Sequence, residues 1–192
     1  MSLILALDYG GVRDPAAACA LETDGRNHAV RFLDRWYGDF ASRAAVIANR
    51  LKPAAVVMDA SGPQGRRGLA ELLPLVSVPV FGICAVSNDR PPGQSRQLIY
   101  VPKKSLVMAL TRAVEQHRLQ IASLLPLAGQ LAQELQSYRQ KERGGVTIYE
   151  HARRSIHDDL VSALQLAIWF SETQSARGLA AQWRPAQCNP IT

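Results

Sequence analysis

The chain has 192 residues, of which 47% are hydrophobic, enough for one well-formed core and with nothing that marks a second. Its 22 Lys and Arg against 16 Asp and Glu give a formal charge of +6, a balance that favours polyanionic partners. The 3 cysteines are scattered and form no CxxC pair, which argues against a disulfide framework or a structural zinc site, and the apolar N-terminal run is too short to span a bilayer, so a cytoplasmic protein without a membrane partner is expected.

The first element, LILALDYG (Leu3 to Gly10), is a near-continuous apolar run ending in Asp-x-Gly, the pattern of a buried strand that delivers a carboxylate at its end. Two apolar segments then flank TDGRN, whose Asp-Gly pair predicts a hairpin of strands at 16–22 and 28–37. Helical spacing follows through Phe40, Ala44, Ile47 and Leu51, and Pro53 stops it. The segment AAVVMDASGPQG repeats the opening design, a short hydrophobic strand ending at Asp59. A helix over 64–73 and a strand near VPVFGI complete a crossover, so the expected class is α/β, a mixed sheet flanked by helices.

Polar, Pro- and Gly-rich residues 87–97 read as a surface loop. Pro102 is expected in the first turn of a helix that presents Leu106, Leu110, Ala113 and Val114 on one face, and a second helix covers 126–136. YRQKERGGVTIYEH reads as strand, Gly-Gly turn and strand, and the last helix runs over 158–171. Residues 1–175 are expected to form one domain, and 176–192, which show no sustained period, a loop or disordered tail.

Asp8 and Asp59 each end a predicted central strand, so if those strands are neighbours their side chains converge. Asp158 and Asp159 arrive from the first turn of the last helix, where the helix dipole tolerates negative charge. Each alone has a plain structural reading, as a strand cap, an Asx turn or a helix cap. Together they need a compensating cation, and hard oxygen ligands select Mg²⁺ or Mn²⁺. Two such ions clamp a scissile phosphate in known nucleases, so these carboxylates are candidate catalytic metal ligands. Small residues at Ser162 and Ala163 continue the face headed by Asp159, which favours Asp159 as the direct ligand and Asp158 as a second or water-mediated one.

These residues, with the runs LALDYGGVRDPAAACAL, VVMDASGPQG, VPKKSLVMALTRAVE, LAQELQSYR and HDDLVSALQLAIW, resemble the nuclease domain of the large terminase subunit of tailed phages, which has the ribonuclease H-like fold. The resemblance implies metal-dependent cutting of concatemeric double-stranded DNA during genome packaging, with Asp8, Asp59 and Asp159 as the metal triad, Asp158 beside them and Asp14 as a further acidic position. It also implies a packaging ATPase domain, a portal and a small terminase subunit as partners, in the host cytoplasm. No GxxxxGK[ST] phosphate loop occurs here, so the chain is expected to be an excised domain or a stand-alone relative. Ser162 stands where many nucleases of this fold carry an acid or histidine.

Arg66, Arg67, Lys103, Lys104, Arg153 and Arg154 lie near the acidic positions and are candidate phosphate contacts, each with a solvated surface as the alternative. His157 is a candidate metal or phosphate contact, or a helix cap. Competing readings are a structure-selective resolvase of the same fold and a non-catalytic DNA-docking module, which would leave the acidic residues without a purpose.

Overall fold

The computed structural model describes residues 1–10, 14–87, 97–143, 146–151 and 158–173. β1 (Ser2–Asp8), β2 (Ala16–Thr23) and β3 (His28–Trp36) form an antiparallel meander, followed by α1 (Phe40–Leu51), β4 (Ala55–Asp59), α2 (Pro63–Leu72) and β5 (Val80–Val86). Then come β6 (Leu98–Pro102), α3 (Lys103–Glu115), β7 (Leu119–Ile121), α4 (Ala128–Ser137), the hairpin β8 (Tyr138–Arg143) and β9 (Val146–His151), and α5 (Asp159–Thr173). A 7-stranded sheet has the order β6-β5-β4-β1-β2-β3-β7, with β8 and β9 paired separately. Strands β1, β4, β5 and β6 run parallel, so their carboxyl ends share one edge.

Local chemistry explains the element boundaries. The β2–β3 turn closes on Asp24, whose Oδ1 accepts the Arg26 and Asn27 backbone N–H groups at 2.8 and 2.7 Å, with Gly25 at φ +93°. The Asp39 carboxylate caps α1 by accepting the Ser42 N–H at 3.1 Å. Pro102 is the last residue of β6 and caps α3, which begins at Lys103, so the proline stands just before the helix rather than inside its first turn. The short strands β6 and β7 were not anticipated from the sequence: each is one edge of the sheet, three to five residues long, and too brief to show a period.

Two apolar layers sandwich the sheet. On one side Leu5, Leu7, Ala18, Ala20, Val56 and Met58 meet α1 and α2; on the other Ile4, Ala6, Ala17, Cys19, Ala55 and Val57 meet α3, α4 and α5. This is period-2 alternation at work in strands buried on both faces. Helix α5 is apolar on nearly every side because it is packed on nearly every side, against the sheet and between α3 and α4. The alanines of β2 are what allow it so close: AAACA (Ala16 to Ala20) presents little bulk toward either layer. No helix among the described residues is long and apolar enough to cross a membrane.

Candidate functional site

In β1 the residues Ile4 and Ala6 face α5, and in β4 so do Ala55 and Val57, so alternation aims Asp8 and Asp59 toward α5 as well. The last paired residues of the two strands are Leu7 and Met58, which leaves the aspartates side by side one step further on. Strands sit about 4.8 Å apart. Asp159, buried, and Asp158, half-buried, come from the start of α5, whose first turn closes through the Ser162 N–H donating to the Asp158 carbonyl at 2.7 Å.

The four carboxylates share one field. The Asp8 carboxyl is pushed well above the usual aspartate range, first by loss of water around it and then by Asp59, Asp159 and Asp158 in that order. Among the described residues no three His, Cys, Asp or Glu side chains converge closely enough to enclose a metal ion, so the carboxylates face a common space without meeting at one point. A hard, oxygen-seeking divalent cation fits this donor set on two counts: every donor is a carboxylate, and the buried Asp8 carboxyl, crowded by three other acids, gains from a nearby positive charge.

A cleft of about 420 Å³ opens over Asp8 and Asp59 and is closed below by the loop from Ser61 to Gly65. That loop is fixed at each step. The Ser61 N–H donates to Asp59 Oδ1 at 2.8 Å, the Ala60 N–H to the Ile83 carbonyl at 2.8 Å, and the Ala85 N–H to Ser61 Oγ at 2.8 Å. The Asx turn foreseen as the plain alternative for Asp59 is therefore present, and it holds the carboxylate in place at the cleft.

Two glycines let α2 come down onto both aspartate loops. A Cβ on Gly65 would lie 2.6 Å from the Asp59 carbonyl oxygen and 3.0 Å from Ala60 Cα, and a Cβ on Gly68 would lie 2.5 Å from the Tyr9 ring. The Gly65 neighbours are backbone already tied to β5, so they cannot give way. Gly65→Ala is expected to destabilise the fold by about 1–3 kcal/mol, read as a lower urea midpoint at unchanged m-value. A midpoint equal to wild type would mean that α2 is free to lift.

The basic candidates are distributed unevenly. Arg66 and Arg67 are exposed on α2, Arg67 donating to Glu71 at 2.7 Å and Arg66 lying beside Cys84 at the end of β5. Lys103 and Lys104 are exposed at the start of α3, on the same edge of the sheet as the aspartates. Asp14 is exposed two residues ahead of β2, at the Asp8 end of that strand. His157, Arg153, Arg154 and the 176–192 tail lie outside the described residues.

Two residues absent from the sequence-based candidates adjoin the site. Glu134 of α4 is buried, accepts the Leu160 and Val161 N–H groups at 3.1 Å each, and so caps α5 from a neighbouring helix. Arg35 of β3 pairs with Glu134 through Nη2, which also lies 3.7 Å from Asp159 Oδ2. Burial pushes the Glu134 carboxyl up, against the pull of the Val161 N–H and Arg35. The signal for Glu134 was thin: an acid on the apolar face of a predicted helix. Arg35 had none, because its position depends on how β3 pairs with β2.

No family model matches the chain, and no curated protein matches its sequence. Its structure, in contrast, is similar to several solved nucleases. The large terminase nuclease from thermophilic phage G20c with bound magnesium matches with a TM-score of 0.63 at 20% identity, over 87% of this chain and 80% of that one. The large terminase nuclease domain from bacteriophage SPP1 with bound Mn matches at 0.59 and 15% identity, over 87% and 85%. The P22 large terminase nuclease domain matches at 0.59 and 13% identity, over 93% and 86%. The chain thus has the ribonuclease H-like fold of the phage large-terminase nuclease domains.

Proposed function

We propose that this chain is a metal-dependent endodeoxyribonuclease that cuts double-stranded DNA by phosphodiester hydrolysis during phage genome packaging. The observation that carries the reading is that Asp8, Asp59, Asp159 and Asp158, from two strands and one helix, face one common space and act electrostatically on one another, on a fold whose solved examples include magnesium- and manganese-bound terminase nucleases. Asp8, Asp59 and Asp159, with Asp158 beside them, would hold Mg²⁺ or Mn²⁺, two ions in all. Bound there, the metal would supply Lewis-acid activation of water and charge stabilisation at the leaving oxygen.

The chain's own residues do the positioning. Asp8 and Asp59 stand on adjacent strand ends that the sheet hydrogen bonds fix, and the Ser61 N–H fixes the Asp59 carboxylate. The start of α2 places the positive end of a helix dipole at the cleft floor, where phosphate charge would come to lie. Arg66, Arg67, Lys103 and Lys104, with Arg153 and Arg154, would contact the sugar-phosphate backbone, with Asp14 as a further acidic position and His157 as a further metal or phosphate contact. In a packaging motor the partners would be an ATPase domain, a portal and a small terminase subunit, acting in the host cytoplasm.

The test is nicking of supercoiled plasmid with Mn²⁺, Mg²⁺, Ca²⁺ or chelator. Mn²⁺ and Mg²⁺ should convert the plasmid to open-circle and linear forms, whereas Ca²⁺ and chelator should not. Binding of DNA with no strand scission under any ion would instead favour the docking module. Preference for four-way junctions over linear duplex would favour the resolvase.

A further inference from the structure

The route by which Arg35 reaches the carboxylates is unusual. Strand β3 carries a bulge: Ala20 pairs with Phe32 and Leu21 with Val30, so Arg31 is left out of the backbone register. The extra residue inverts the alternation, and Val30 and Leu33, three apart, both face α5 while Phe32 and Trp36 pack on the α1 side. Arg35 follows Leu33 onto the α5 face. It pairs with Ala17, which pairs with Asp8, so Arg35 and Asp8 stand level across the sheet with only a methyl side chain between them. Without the bulge Arg35 would point toward α1, where its neighbour Asp34 already binds Arg43 at 2.8 Å.

The guanidinium is thus a fixed positive charge inside an acidic cluster. One nitrogen, Nη2, serves both Glu134 and Asp159, and Arg35 Nε is buried with no hydrogen-bond partner among the described residues. Glu134 is committed to capping α5, so it anchors Arg35 against the helix that carries Asp159.

We propose that Arg35 is a resident cation of the metal site: it shares the Asp159 carboxylate with the metal and so sets how tightly that side of the cluster holds a divalent ion. Arg35 is a positioning residue that acts through Asp159. The proposal rests on the metal-nuclease reading and deepens it. A permanent monovalent charge at this place offsets part of the carboxylate repulsion when no metal is present. It also repels an arriving metal ion, which keeps the Asp159 side weakly occupied until a phosphate adds its own charge.

The experiment is calorimetric titration of Mn²⁺ into the full chain without DNA, beside thermal melts in chelator. Arg35→Gln should bind Mn²⁺ about tenfold more tightly than wild type, the scale expected for losing one partly screened charge near a divalent ion. Arg35→Lys, which keeps the charge, should bind as wild type does. A residue that merely propped up the fold could only weaken binding on replacement, so unchanged or weaker affinity in a cooperatively melting Arg35→Gln overturns the proposal. If that variant does not melt cooperatively, Arg35→Gln with Glu134→Gln, which also neutralises the carboxylate most directly paired with Arg35, carries the same test and should still bind more tightly than wild type. Wild type that binds no Mn²⁺ at all would sink the metal-nuclease reading and this proposal together, whereas wild-type binding without the Arg35 effect sinks this proposal alone.

Discussion

Asp8→Asn is expected to lower Mn²⁺-dependent nicking by on the order of a thousandfold or more, while the folded chain becomes more stable. The loss follows from the central place of Asp8, the residue whose carboxyl feels all three other acids. An amide keeps the shape and one acceptor but surrenders the charge that would hold a hard cation, and the metal-assisted hydrolysis proposed above would draw most of its rate from that ion. Nicking at the wild-type rate in this variant would end the case for Asp8 as a metal ligand.

The stability half has a definite sign. The Asp8 carboxyl is pushed up in the folded state, so its contribution to stability is fully present below the unfolded value and is lost as pH rises through the folded one. In chelator at neutral pH, wild type therefore carries a penalty that Asp8→Asn lacks. The variant should melt higher there, and its advantage should vanish below about pH 4, the ordinary aspartate range. A variant that melts lower than wild type at neutral pH would show that Asp8 is held by attraction rather than crowded by repulsion.

Phe170→Ala is expected to cost about 3–5 kcal/mol of folding free energy, the usual result of emptying a fully buried aromatic site. The ring is 0% exposed and lies 5.4 Å, centroid to centroid, from Phe81 of β5. It ties the far half of α5 to the sheet. For a chain of this size such a loss lowers the melting temperature by roughly 10 °C, measurable by circular dichroism. Because α5 also carries Asp159, Mn²⁺-dependent nicking should fall well below the melting temperature too. A melt within 1–2 °C of wild type, on the order of experimental scatter, would mean that the core around α5 repacks freely.

Much of this molecule is legible in its sequence, and for identifiable reasons. The opening strand, the hairpin, α1, β4, α2, α3 and the final helix each show an apolar run or a helical spacing, several of them bounded by punctuating residues such as Asp24-Gly25, Pro53 or Pro63, so their existence and order follow from local rules. Asp8 and Asp59 announce themselves by ending apolar runs, a position that side-chain alternation cannot hide. The edge strands β6 and β7 escape because they are short, and Pro102 misleads by about one residue because a proline can close a strand as readily as open a helix.

Arg35 and Glu134 mark the boundary between the two kinds of information. The sequence by itself determined which carboxylates end apolar strands, which segments have helical spacing and where the last helix begins, since those depend on neighbours within a few positions. It could not determine that β3 bulges at Arg31, because a bulge arises from pairing with β2 and inverts the alternation from there on. Nor could it reveal that a glutamate on α4 caps α5, since contacts between distant segments leave no period to read. Only the tertiary structure decided that a cation stands among the acids, because charge proximity is a property of packed surfaces and not of the order along the chain.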